Sequence, residues 1–154
     1  MKLQTSELLE EAEALLEGIF RNLELQVHSE CNLENGVVYV ELTGEDSELI
    51  LADNARLLYA INHLLNQIYF RRSELGCNFL VDCKDYRSSR ALELQLLACK
   101  AAEGVRASGR ELELQAMPAS ERRIIHLALS EEAGVQTESE GGGSRRRVVI
   151  QPAP

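Results

Sequence analysis

Residues 118–129 read Pro118-Ala-Ser-Glu-Arg-Arg-Ile-Ile-His-Leu-Ala-Leu129. The stretch opens like a helix: Pro118 cannot prolong a preceding one, and Ser120 is a candidate N-cap. Arg122 and His126 are four positions apart and therefore share one helical face. Ile125, Leu127 and Leu129 supply apolar contacts around the rest of the cylinder. An exposed arginine and histidine one turn apart form a compact donor pair suited to a phosphate or a carboxylate. Taken alone the pair reads more simply as ordinary surface, so its meaning rests on its surroundings.

Downstream, Val135-Gln-Thr-Glu reads as a short strand and Glu140-Gly-Gly-Gly-Ser144 as a flexible loop. Arg145-Arg-Arg-Val-Val-Ile150 follows as a closing strand headed by three arginines, and residues 151–154 as a disordered tail. Upstream, Glu111–Ala116 alternates strictly, which places Leu112, Leu114 and Ala116 on the inner face of a strand. Before it runs a long helix from Asp85 to about Ser108, marked by Leu92, Leu96, Leu97, Ala101 and Val105. Gly109 ends it as a left-handed cap.

The first half repeats the α+β pattern. A helix over residues 4–21 carries the stripe Leu8, Ala12, Leu15, Leu16 and Ile19, with Thr5 or Ser6 as its cap. Leu23, Leu25 and Val27 alternate as a strand, and Asn35-Gly36 is a hairpin-turn dipeptide. A second strand puts Val38, Val40 and Leu42 on one face. A long helix within residues 49–73 keeps Leu57, Leu58, Ile61, Leu64, Leu65 and Ile68 at helical spacing, and Cys77–Asp82 is a short apolar strand. The expected fold class is therefore α+β, in two small domains: 1–82 and 83–150.

Composition narrows the function. The chain has 154 residues, 45% hydrophobic and 27% charged, with net charge −9. Residues 1–82 hold 5 Lys+Arg against 15 Asp+Glu, residues 83–116 hold 6 against 5, and residues 117–154 hold 5 against 5. If one part meets a polyanion, it is the second half. Cys31, Cys77, Cys83 and Cys99 lack C-x-x-C spacing, and His28, His63 and His126 lie on different elements. They read as reduced thiols and scattered imidazoles, so no metal site and no cofactor is expected. There is no G-x-x-x-x-G-K-[ST] and no nucleophile–base constellation, so no enzyme is expected. No stretch reaches the length of a membrane span, which makes a cytoplasmic protein without membrane insertion the default.

With these pieces in place, Met117–Leu129, Val135-Gln-Thr-Glu-Ser-Glu-Gly and Arg145–Ile150 together closely resemble the R-3-H domain of the bacterial Jag (KhpB) family. That domain is named for an Arg and a His separated by three residues, here Arg122 and His126. The run Asp82-Cys-Lys-Asp-Tyr-Arg87 and the pair Gly109-Arg110 resemble the family's entry into the domain. The first half resembles the family's KH domain of type II, and the separate N-terminal Jag domain is absent from this sequence.

The resemblance implies a small α/β sandwich for each half and binding of single-stranded RNA or DNA. It implies contacts by Arg122 and His126, joined by Arg123, Arg145 and Arg147. KH domains clamp the nucleic-acid backbone with a G-x-x-G loop. Here the corresponding residues are Ala52-Asp53-Asn54-Ala55, with both glycines replaced and a carboxylate where a cation would help. The clamp is therefore expected to be impaired. The other reading is a protein-interaction scaffold or dimerisation module using the acidic half, with another KH protein or a second copy as partner.

Overall fold

The computed structural model describes residues 5–70, 72 and 76–154. The expected helix start at residue 4 lies outside them, as does the side chain of Thr5, and the long helix expected to stop near Gly76 ends earlier, at Tyr69. The contacts divide the chain into two units, one up to Arg87 and one from Ser88. The division falls a few residues beyond Asp82 because Cys83 is buried and Tyr86 packs against the first core. Arg87 also donates to Val81 O at 2.7 Å.

The first unit runs α1 (Thr5–Asn22), β1 (Val27–Glu34), β2 (Val37–Gly44), α2 (Ser47–Tyr69) and β3 (Asn78–Asp82). Its sheet has the order β1-β2-β3, with β1 antiparallel and β3 parallel to β2. A parallel pair needs a crossover, which α2 supplies. Leu8, Ala12, Leu16 and Phe20 of α1 and Leu58, Ile61, Leu65 and Tyr69 of α2 bury against Val38, Val40, Leu42, Phe79 and Val81. The apolar stripes thus cover one face of the sheet.

Asn35 and Gly36 both take positive φ, 50° and 79°, as the tight hairpin requires. The strand expected from Leu23 begins only at Val27. α1 continues to Asn22 and the chain then turns back, with Leu25 N donating to Phe20 O. Gly44 closes the β1–β2 ladder at φ +149°, and a Cβ there would lie 2.0 Å from Gln26 O.

α2 is broken. Ala52 is extended (ψ 156°), and Asp53, Asn54 and Ala55 follow with φ of 51°, 56° and 56°. A left-handed residue other than glycine costs about 1–2 kcal/mol, least for Asn and Asp. Ala55 is fully buried, so the core holds the break in place.

β3 is an edge strand, and side chains of α2 close its edge. Asn66 Nδ2 donates to Phe79 O at 2.8 Å and its Oδ1 accepts from Phe79 N at 2.9 Å. Asn62 Oδ1 accepts from Val81 N at 2.9 Å and from Arg87 Nη2 at 3.0 Å. The two amides stand where a fourth strand would pair.

The second unit contains most of α3 (Tyr86–Ser108), then β4 (Leu112–Glu113), α4 (Ala119–Ala128), β5 (Val135–Glu140) and β6 (Arg147–Pro152). Its sheet has the order β4-β6-β5 and is antiparallel throughout. Gly109, at φ +65°, ends α3 by donating to Val105 O at 2.8 Å.

Three expectations change here. The buried stripe of α3 is Leu94, Ala98, Ala101, Ala102 and Val105, while Leu92, Leu96 and Leu97 are exposed. The strand expected over 111–116 is two residues long, and of Leu112, Leu114 and Ala116 only Leu114 is buried. The tail is ordered through the end of β6: Gln151 and Pro152 pair with Gln136 and Val135, and Ala153 N donates to Gly134 O. The α+β class holds, with four helices and two three-stranded sheets among the described residues.

The edge closure is testable. Asn66→Ala strands the N–H and C=O of Phe79 and should lower the unfolding free energy by about 1–3 kcal/mol. Urea denaturation measures this, and an unchanged midpoint would contradict the assignment.

Candidate nucleic-acid interface

α4 begins two residues earlier than its sequence suggests. Pro118, at φ −58° and ψ 158°, is itself the N-cap, and Arg122 N donates to Pro118 O. Ser120 therefore lies inside the first turn and does not cap the helix. Ile125 and Leu129 are buried, but Leu127 points outward and is 61% exposed. The other buried side chain of α4 is Glu121, only 2% exposed. Arg90 of α3 meets it in a fork, Nε to Oε1 at 3.3 Å and Nη2 to Oε2 at 3.2 Å.

With Glu121 and Ile125 turned inward, Arg122 and His126 are carried to the side that faces β5. Both are half-buried. They converge on one hydroxyl: Arg122 Nη1 donates to Ser139 Oγ at 3.0 Å, and His126 Nε2 lies 2.8 Å from the same oxygen. His126 Nδ1 lies 2.7 Å from Thr137 Oγ1. A neutral imidazole donates through one nitrogen and accepts through the other, and two hydroxyls can serve either tautomer. Thr137 and Ser139 complete this cluster, and the motif reading missed them. The available signal was strand alternation, because Val135, Thr137 and Ser139 occupy one face of β5.

Met117 ties this cluster to the arginine-rich turn. Its carbonyl accepts from Arg122 Nε at 3.3 Å, and its N–H donates to Arg146 O at 3.2 Å. Arg145 lies in a 3-10 turn, Gly143–Arg145, ahead of β6, and not on the strand itself. Gly141 makes the tight return possible: its φ is +83°, and a Cβ would lie 2.9 Å from Arg145 O. Arg145 and Arg146 are exposed. Arg147 instead pairs with Glu113, Nε to Oε2 at 2.7 Å. Arg123 is exposed, and no described residue forms an ion pair with it.

The structure therefore gathers Arg122, His126, Thr137 and Ser139, links them to the backbone of Arg146, and leaves Arg147 in a pair. Ala52–Ala55 form the break in α2 of the first unit, where Arg56 reaches Asp53 at 3.6 Å. Cys31, Cys77 and Cys83 are buried and Cys99 is exposed, all as free thiols. Burial, then the Glu13 carboxylate, pushes the Cys31 thiol up to about 12. Among the described residues no three His, Cys, Asp or Glu side chains group as metal ligands, and no helix is long and apolar enough to cross a membrane.

Residues 92–152 match the R-3-H domain family. The chain is 35% identical over 115 residues to the RNA-binding protein KhpB of Bacillus subtilis (strain 168), covering 73% of this chain and 55% of that protein. The chain carries an R-3-H domain and is a homologue of KhpB proteins over most of its own length. The RNA-binding protein KhpB of Lactiplantibacillus plantarum is 31% identical over 129 residues, 82% of this chain and 40% of that protein. For KhpB of Clostridium symbiosum the figures are 29% over 145 residues, 93% and 65%. The chain thus spans about half the length of the KhpB proteins it matches. The R-3-H match contains every residue of the hydroxyl-centred cluster.

In this chain the surroundings of His126 disfavour the imidazolium. Burial, then the Arg122 charge, lowers the His126 pKa below its usual 6.5. The folded chain therefore binds this proton less readily than the unfolded chain. The stability this represents is fully present above pH 6.5 and is lost as pH falls towards the folded-state midpoint. NMR titration of the free chain should give a His126 midpoint below 6.5, and a midpoint above 6.5 would contradict the environment described.

Proposed function

We propose that the chain binds single-stranded nucleic acid, RNA foremost, along its phosphate backbone through the second unit. The observation that carries this reading is the Ser139 hydroxyl shared by Arg122 and His126. Two of the five guanidinium N–H donors of Arg122 are committed, to Met117 O and Ser139 Oγ. The remainder form an oriented, permanently charged fork suited to phosphate oxygens. A guanidinium already held in place loses less freedom on binding.

His126 contributes chiefly by orienting Ser139, and meets a phosphate directly only by exchanging one hydroxyl partner for it. Arg145, Arg146 and Arg123 add exposed cations around this centre, whereas Arg147 contributes less because Glu113 neutralises it. The naming of the relatives as RNA-binding proteins supports the choice of ligand. The action is binding and not catalysis.

The first unit, on this reading, is a KH-like domain of type II whose clamp is impaired. The break at Ala52–Ala55 supports the placement of the loop, since it separates the two helical pieces between β2 and β3. A phosphate approaching it meets the exposed Asp53 carboxylate, and the adjacent Arg56 is already turned towards Asp53. The residues up to Arg87 hold seven Lys+Arg against sixteen Asp+Glu, which repels a polyanion further.

The test is the Arg122→Ala/His126→Ala double variant titrated with single-stranded RNA oligonucleotides. Affinity should fall by about tenfold or more for every sequence, as expected for lost hydrogen bonds to charged groups. If three phosphates are engaged, log K of the parent chain should fall with log salt at a slope of about −2. Full affinity in the double variant, or a slope near zero, would refute the mechanism.

A further inference from the structure

The helices of the first unit cover one face of its sheet, and the other face is left to solvent. The strand register arranges that open face in rows. Asn32, Tyr39 and Leu80 are cross-strand partners and form one row, in which Tyr39 is 43% and Leu80 36% exposed. The next row, two residues along each strand, is Glu30, Glu41 and Asp82. An exposed apolar pair therefore lies directly beside three carboxylates, and with strands ~4.8 Å apart the acidic row spans about 10 Å.

Like charges placed directly opposite across strands destabilise a sheet. The nearest cation along the chain does little to relieve this row. Lys84 meets Glu48 through Nζ at 2.5 Å and offers Glu41 only its backbone N–H, at 3.2 Å. Asp82 spends one oxygen on the N–H groups of Cys83 and Arg87 at the start of α3. Burial, then the neighbouring Asp82 and Asp85, raises the Glu41 pKa despite the opposing Lys84 N–H. An unfavourable arrangement retained on a solvent-facing sheet is the mark of a surface that acts with something else.

We propose that the open face of this sheet is a docking surface for a protein segment that presents lysines or arginines beside an apolar side chain. The cations of the partner would sit over Glu30, Glu41 and Asp82, and its apolar group against Tyr39 and Leu80. The same charge pattern excludes a nucleic-acid phosphate backbone from this face. The edge of β3 takes no part, because Asn62 and Asn66 close it, so the partner lies across the face and does not extend the sheet. This surface is independent of the nucleic-acid reading, and loss of RNA binding leaves it standing.

The test uses the full chain, isotopically labelled, with a synthetic amphipathic peptide of Lys and Leu as probe. Amide shifts should gather at Glu30, Asn32, Tyr39, Glu41 and Leu80, and should be absent when every Lys of the peptide is replaced by Gln. Glu30→Lys/Glu41→Lys should weaken the peptide about tenfold or more, and Tyr39→Ser should weaken it through the apolar row. Glu41→Gln keeps the acceptor for Lys84 N, so it should raise the thermal midpoint of the free chain while weakening the peptide. All three positions are exposed, so these variants keep the fold.

Shifts gathered on the α1 glutamates Glu10 and Glu17 would mean generic polyanion behaviour and overturn the proposal. So would undiminished binding by the charge-reversed variant, or a sheet face that does not respond. Shifts on this face produced by single-stranded RNA would also overturn it, by making the ligand a nucleic acid.

Discussion

A single buried carboxylate sets the direction in which α4 faces. Glu121 has almost no solvent contact and is held by the guanidinium of Arg90 from α3. Taking Arg90 away would leave the buried Glu121 carboxylate without its guanidinium, at a cost of about 3–5 kcal/mol. A rotation of α4 about its axis would break the pair as surely as a mutation. The next residue, Arg122, and the one a turn later, His126, are therefore delivered to β5 and not to open solvent. The hydroxyls of Thr137 and Ser139 then complete their alignment. The pair recognised in the motif is positioned by the glutamate beside it and by a strand that follows.

The first unit rests on a different constraint. Its parallel β2–β3 pairing obliges the chain to cross over, and α2 makes the crossing with a break of four residues in its path. The buried Ala55 anchors that break, while Asn62 and Asn66 use the same helix to close the outer edge of β3. A helix that carries a loop, fills a core and seals an edge leaves few surfaces of the unit uncommitted. The open sheet face is one of these, and its rows of side chains follow directly from the strand register.

Much of this is legible in the order of the amino acids. The Asn35-Gly36 turn, the α1 stripe and the Gly109 stop are local devices with a fixed conformational meaning, and they stand where the residues put them. The break of α2 falls on Ala52–Ala55, the residues singled out for the clamp. What fails is the choice between competing periodic patterns. On α3, Leu92, Leu96 and Leu97 are more hydrophobic than Ala98, Ala101 and Ala102, yet the alanines face the core. Hydropathy alone does not report where two elements pack closely enough to require small side chains. Partners distant in sequence are equally hidden: Arg90 for Glu121, Glu113 for Arg147, and Thr137 and Ser139 for His126. The tail misleads because its composition suits disorder, whereas β5 offers it a strand to pair with.

The central claim is that nucleic acid is gripped at the shared hydroxyl of the second unit and not at the altered loop of the first. The most direct measurement is a titration of the full, isotopically labelled chain with a short single-stranded RNA, followed residue by residue by NMR. The account predicts shifts at Arg122, His126, Thr137, Ser139, Arg145 and Arg146, and none at Ala52–Ala55. Shifts centred on Ala52–Ala55, with α4 and β5 unmoved, would contradict it.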